Sequence, residues 1–368
     1  MLKKKLKLYF KVFFQKLFIL IYGKIKTDDI NYLNDDELIP INNIKSDTYP
    51  DHEYFLYKIK NGRIHTDMNE NVSIINKNNL ISDSSFQQIE GVLKSKNYNS
   101  VLIKGTPRLK KKFKGKIFNL TQGGSGNNYF HFIFDLLPKI YLLKKKIPLE
   151  SINYFYVPEI KDWQKKIYSL FCIEKEKLID SKKFRHVEGD WVIAVSHPWY
   201  FKGYIQDETI NIPEWIIKYN RDNFLPLIKK FNNNKKIFLD RSSSAYTHCQ
   251  IKNNNEIVDL LTKKGFTSYK VEELNIEEQI FLFNEASIIV GAHGAAFTNI
   301  IFCKPETKIV EIIPESHPSK KCQRISKILK LRYKRITTIE TNKDKNFPFN
   351  ILLDKKNLNE IENIIDLI

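Results

Sequence analysis

A chain of 368 residues, 42% hydrophobic and 13% aromatic, is long enough for two domains with cores of their own and too apolar for wholesale disorder. Its formal net charge of +18 asks for an acidic partner, but the Lys are spread along the chain, and no aromatic RNA-binding motif, zinc-finger spacing or helix-turn-helix accompanies them, so nucleic acid is set aside. Cys172, Cys249, Cys303 and Cys322 stand far apart with no CxxC pair, which argues against a disulfide framework or a structural zinc site and suits a reducing, cytoplasmic compartment.

Residues 1–26 interleave Lys3, Lys4, Lys5, Lys7, Lys11 and Lys16 with Leu, Phe, Tyr and Ile. The longest apolar run, 17–22, falls far short of the roughly 20 residues a spanning helix needs, and no secretory cleavage site follows. A basic amphipathic helix is expected, lying on an anionic membrane surface at the inner face or packed as an ordinary N-terminal helix. Residues 27–233 read as an N-terminal, acceptor-side domain. Short strands are expected at 54–57, 72–75 and 116–120, then a turn at 123–126 and a helix over 127–146 despite Pro138. Strands at 152–157 and 191–196 and helices at 162–171 and 213–231 follow, and the polar stretch 232–235 marks the boundary. Residues 234–368 have the most regular pattern. Strands at 236–239, 268–271, 287–290, 308–313 and 333–338 alternate with helices at 255–264, 276–286, 295–302, 319–331 and from 356. Such alternation means a parallel sheet covered on both faces, with ligands at the carboxyl ends of its strands.

Three strand ends carry unusual residues. After Leu239 come Asp240, Arg241 and Ser242; the planar donors of Arg241 suit a diphosphate, and a surface ion pair with Asp240 is the plainer alternative. After Val290 come Gly291, Ala292, His293, Gly294 and Ala295, leading into a helix. Small residues let a ligand approach the backbone, and a helix start is electropositive; a tight turn with close packing is the other reading. Glu311 follows Val310 and could accept from ribose hydroxyls or pair with a Lys. In the N-terminal half His131 and Asp135 are four apart and share a helix face. Either could act as general base, or the two could simply satisfy one another. No Asp-x-Asp triplet, GxSxG elbow, Walker A loop or GxGxxG occurs. No metal or other cofactor is therefore expected, and charge on a leaving group would fall to Arg241 and the helix start.

The ordered set Asp240-Arg241, Asn255-Glu256, Gly265-Phe266, Glu278-Gln279, Ala286, Gly291 through Asn299, Phe302 and Val310 through Pro314 resembles glycosyltransferase family 61. The segment Asn127 to His131, reaching Pro138, is similar to that family's N-terminal signature. The resemblance covers roughly 123–314. It implies a GT-B fold of two Rossmann-like domains with a cleft between them, and an inverting, metal-independent transfer from a nucleotide diphosphate sugar. The acceptor it implies is a glycan or a lipid-linked molecule, in capsular or surface polysaccharide synthesis. Donor contacts are carried over to Arg241, Ser242, Asn255, Glu256, Gln279, Gly291, His293, Gly294, Ala295, Asn299 and Glu311. Many relatives have a second basic cluster shortly after the motif Arg. Here that stretch is 246–252, with His248 or Lys252 as substitutes. Two rivals stay open: a non-catalytic glycan-binding or assembly protein of the same fold, and another Rossmann-like transferase such as a methyltransferase.

Overall fold

The computed structural model of the protein describes residues 2–27, 33–34, 37–94, 96–201, 203–228, 234–242, 244, 248–339 and 349–366. They fall into two compact units, Met1–Ile205 and Gln206–Ile368.

The first unit opens with helix α1 (Leu2–Tyr22). Among the described residues no helix is long and apolar enough to cross a membrane. The centre of the unit is a ten-stranded mixed sheet, which includes β1 (Tyr54–Lys60), β2 (Arg63–Thr66), β3 (Lys111–Asn119), β4 (Tyr154–Val157), β5 (Leu178–Asp180) and β6 (His186–Val195). The long β6 is its hinge of direction: it runs parallel to β3 but antiparallel to β1 and β2. Beyond β3 the pairing continues parallel through β4 and β5. The Rossmann-like sheet expected here is thus realised only along β6, β3, β4 and β5. From β1 to β2 the chain keeps one direction along a single edge of β6, broken only at Asn61-Gly62, and both segments run antiparallel to it. Ile59, Ile64, Ile117, Tyr156 and Val192 pack into one buried cluster on this sheet.

The helix expected over 127–146 is interrupted. Tyr129–His131 (α2) passes through a π-turn, Phe132–Leu136, into α3 (Leu137–Lys144). Asn128 caps the start by accepting from the Phe130 amide at 3.0 Å. Pro138 stands in the first turn of α3 and has no N–H to donate. The wider coil before it shifts the hydrogen bonding, so the Leu137 amide reaches back to the Phe132 carbonyl.

In the second unit α4 (Glu214–Phe224) precedes a five-stranded sheet. Its strands are β7 (Lys235–Leu239), β8 (Thr267–Tyr269), β9 (Ala286–Ala292), β10 (Lys308–Pro314) and β11 (Arg332–Thr338). All pairs are parallel, in the order β8-β7-β9-β10-β11. Strands β9 and β10 are buried along nearly their whole lengths because both of their faces are covered. Helices α5 (Asn254–Lys263) and α8 (Lys355–Asp366) contribute Ile257, Leu261, Ile361 and Ile365 to one core cluster. Helices α4, α6 (Ile276–Asn284) and α7 (Lys321–Leu329) gather around the run Ala295–Phe302. That run winds as a 3-10 helix where an α-helix is expected. Phe297 through Phe302 are fully buried and include three β-branched residues, so packing on three helices sets the winding.

The chain divides between the units earlier than the polar stretch 232–235, of which 232 and 233 lie outside the described residues. Helix α4 explains the shift: Phe224 meets the Phe302 ring at 5.6 Å, and Arg221 donates to the carbonyls of Ile301 and Cys303. These contacts tie α4 to the C-terminal sheet's own helices.

Candidate functional site

The strand order of the second unit locates its site. From β7 the chain goes outward to β8 and then returns to β9 on the other side of β7. The carboxyl ends of β7 and β9 are therefore a topological switch point, where open parallel sheets leave a crevice for ligands. Arg241 lies two residues beyond the end of β7, and His293 one residue beyond the end of β9.

The structure brings Arg241, His293 and Glu311 together. Arg241 Nη1 donates to the His293 carbonyl and Nη2 to the His248 carbonyl at 3.2 Å. The His293 ring meets Glu311 through Nδ1 and Oε1 at 2.6 Å. Cys322 Sγ donates to the same oxygen at 3.0 Å, and the Tyr333 hydroxyl donates to Oε2 at 2.6 Å. Three donors occupy a carboxylate that is only 1% exposed. Burial alone would raise its pKa, but the hydrogen bond and charge of His293, with Tyr333 and Cys322, hold it down at about 2. Glu311 so placed orients His293, and both of its oxygens are engaged by protein donors. Arg241 is likewise drawn inward, at 9% exposed, clamping two carbonyls where a projecting guanidinium is expected. His293, Glu311 and Cys322 also bring three ligand-type atoms within 4.8 Å of one another; the hydrogen bonds just given account for that closeness.

Two glycines make the close approach possible. A Cβ on Gly294 would fall on the Arg241 guanidinium, and one on Gly291 would stand 2.8 Å from Leu239 Cβ across the strand pair. Lys321, at the start of α7, donates to the Gly294 carbonyl at 2.9 Å. His317 lies against His293, ring centres 4.3 Å apart. Burial lowers the pKa of Lys321, with Cys322 and Glu311 opposing. Burial, then Arg241, His293 and Lys321, lowers His248 to about 4. His293 is lowered by burial, with Glu311 opposing. Burial thus disfavours charge on the imidazoles here, and Arg241 and Lys321 are the basic side chains that an anionic ligand would meet.

The remaining expected residues are placed as follows. Ser242 donates its amide and hydroxyl to Asp240, closing the loop after β7. Asn255 and Glu256 are exposed on the first turn of α5, and it is Asn254 that reaches Asp240, at 3.2 Å. Gln279 accepts from Asn299 at 2.9 Å, tying α6 to the 3-10 run. Ala295 is half-buried at the start of that run. Lys252 is exposed. Lys321, Cys322, Tyr333 and His317 were not expected. A strand-end search carried from Glu311 through the following helix start would have met Lys321 and Cys322; nothing local marks Tyr333.

The first unit has its own buried polar set. Asp135, in the π-turn and fully buried, takes His131 Nδ1 at 2.7 Å, the Trp199 indole N–H at 2.7 Å and the Tyr200 hydroxyl at 3.3 Å. Both Asp135 oxygens are thus engaged by protein donors. His131 is 6% exposed and has no hydrogen bond from Nε2 among the described residues. Nearby, the buried Lys139 ammonium donates to the Thr121 carbonyl and Gln122 Oε1. Burial pulls its pKa down to about 7, against the opposing Asp135 charge.

An α/β protein with a parallel sheet, and with this network at its switch point, falls in the class of α/β transferase folds. Residues 129–310, just under half of the chain, match the model of the family described as Glycosyltransferase 61. The match begins at the helix bearing His131 and ends one residue before Glu311. A 40-residue stretch is 45% identical to the beta-1,2-xylosyltransferase of Oryza sativa subsp. japonica, covering 11% of this chain and 8% of that protein. The chain thus shares less than a tenth of that relative's length.

Proposed function

We propose that this protein is an inverting glycosyltransferase that moves a sugar, hexosyl or pentosyl, from a nucleotide diphosphate donor to a hydroxyl of a glycan or lipid-linked acceptor. The observation that carries the reading is the convergence of Arg241, His293 and Glu311 at the switch point of the C-terminal sheet, the first two inside a region that matches a glycosyltransferase family and the third next to its end. His131 is the base. Its Nδ1–H is held by Asp135, which leaves Nε2 to take the acceptor proton. The acceptor oxygen then bonds to the anomeric carbon as the bond to the diphosphate breaks. The electron pair leaves with the nucleoside diphosphate, and the proton passes from His131 to solvent. Lys321, His293 and the backbone around Gly294 meet the charge on the leaving group, each such donor being worth roughly 3–4 kcal/mol when preorganised. Arg241 acts one step back, fixing the backbone at 293 and 294. No divalent metal enters this scheme. The GT-B arrangement and the role in surface polysaccharide synthesis belong to the proposal and rest on the family resemblance.

Thermal shift and isothermal calorimetry with a panel of nucleoside diphosphates and nucleotide sugars, with and without EDTA, test the reading. A raised melting temperature with one nucleotide class, and donor turnover that survives EDTA, is the expected result. No binding of any nucleotide would point instead to an assembly protein, and binding of S-adenosylmethionine to a methyltransferase.

A further inference from the structure

Helix α1 presents an apolar surface that the described residues of the unit leave uncovered. At 100° per residue, Leu6, Tyr9, Phe10, Phe13, Leu17 and Leu20 share one stripe roughly 100° wide. Their exposures are 65, 74, 64, 62, 36 and 83%. The opposite side of the C-terminal half meets the body of the unit. There Ile19 lies against Gly105, and the Tyr22 hydroxyl accepts from the Lys110 amide at 3.1 Å. The Tyr22 ring also meets His186 edge-on at 4.9 Å. The helix is therefore anchored at one end and bare along a face of bulky apolar groups. Single exposed Leu or Phe residues are ordinary; a continuous row of them marks a contact surface.

Charge decides what that surface meets. The helix contains six Lys and no Asp or Glu. Lys5 and Lys16 flank the stripe on one side, and Lys11 lies on the opposite face of the coil. A helical protein partner is usually matched by charges of both signs beside the apolar seam, and these are missing. At the anchored end, Phe18 of α1 helps line an open cavity of about 580 Å³ together with Arg108, Leu109, Lys183, Phe184 and Arg185. Among the described residues no acidic side chain lines it, and Leu109 is 82% exposed at its rim. Lys182, which also lines the cavity, is paired with Glu159 at 2.6 Å.

We infer that α1 and the cationic cavity at its foot form one docking surface for an anionic lipid bilayer, the stripe entering the acyl boundary while Lys5, Lys16 and the cavity's cations hold phosphate headgroups. The helix lies in the interface plane and does not cross it. The full chain is tested by sedimentation with vesicles of phosphatidylcholine alone and of phosphatidylcholine mixed with phosphatidylglycerol. Binding to the mixed vesicles only, lost at high salt, is expected. Lys5→Glu with Lys16→Glu should weaken partitioning by at least about 25-fold, since each Lys contributes on the order of fivefold. Phe10→Glu with Phe13→Glu should abolish it with an unchanged melting temperature, because both side chains are exposed. Arg108→Glu with Lys183→Glu should weaken it at least about 25-fold while leaving the helix untouched. Equal binding to both vesicle types, or none to either, overturns the inference. So does a concentration-dependent dimer, seen by ultracentrifugation, that the Phe substitutions dissolve while vesicle binding persists. Nucleotide binding is measured in parallel, so that failure of this surface and failure of the proposed transfer are told apart.

Discussion

Replacing Gly294 by alanine tests the clamp at the switch point most directly. The new Cβ would stand 2.5 Å from Arg241 Cζ and nearer still to Nη1, so the guanidinium must leave its seat. It is the end of a long side chain and can swing away without deforming the sheet. What is lost is the pair of hydrogen bonds to the His293 and His248 carbonyls. Bonds from a charged donor are worth about 1.5–3 kcal/mol each, and the displaced cation recovers part of that in water, so the net cost is about 2–4 kcal/mol. Arg241→Ala should cost a similar amount by leaving the same carbonyls unmatched. The decisive measurement is the double variant. Once the Arg241 side chain is gone, the three atoms nearest to the methyl group added at position 294 are gone with it. The pair should then cost little more than Arg241→Ala alone, a coupling of about 2 kcal/mol in urea unfolding. Transfer activity should follow, each single variant losing on the order of 100-fold and the double variant no more. Additive effects, with a coupling below about 0.5 kcal/mol, would refute the clamp.

Asp135→Asn should lower kcat by roughly 100- to 10,000-fold with little change in KM, because His131 loses the partner that sets its tautomer; an unchanged kcat and pH profile would remove His131 from the reaction. Glu311→Gln addresses acid stability. The carboxyl is held at about 2 against an ordinary value of 4.5, so its contribution is complete above pH 4.5 and is lost as pH falls toward 2. Wild-type protein should lose about 3 kcal/mol across that window, and the Gln variant should be flatter there and weaker at neutral pH. His65 and His186 are lowered by burial to about 3 and about 4. The unfolded chain therefore binds more protons between pH 6.5 and 4, and stability should rise with pH by up to about 1.4 kcal/mol per unit for each histidine. His186→Phe, which keeps the edge contact with Tyr22, should reduce that slope in urea titrations at several pH values.

What could be read beforehand followed the range of the interactions. The C-terminal sheet declares itself locally, since each strand is an apolar run followed by a helix of fixed period, and the strand ends then name Arg241, His293 and Glu311. The N-terminal sheet is built from distant partners. Tyr54–Lys60 pairs with His186–Val195 more than a hundred residues on, and nothing near either strand announces the other. The roles within the site were hidden for the same reason. A sequence shows Glu311 at a strand end, but not that Tyr333 and Cys322, from other elements, fill its oxygens. Asp135 looked equivalent to His131 as a base until Trp199 and Tyr200 were seen to enclose it.

The interrupted helix at 129–144 has a consequence for any redesign of this protein. A π-turn holds one residue more than regular winding, so everything after it is advanced by about a quarter turn. That phase offset lets Asp135 look toward Trp199 while Lys139, one turn later, looks toward Thr121 and Gln122. Deleting a single residue to straighten the coil would leave one of the two buried charges pointing into apolar side chains. The number of residues in this stretch is therefore as strict a requirement as their identity.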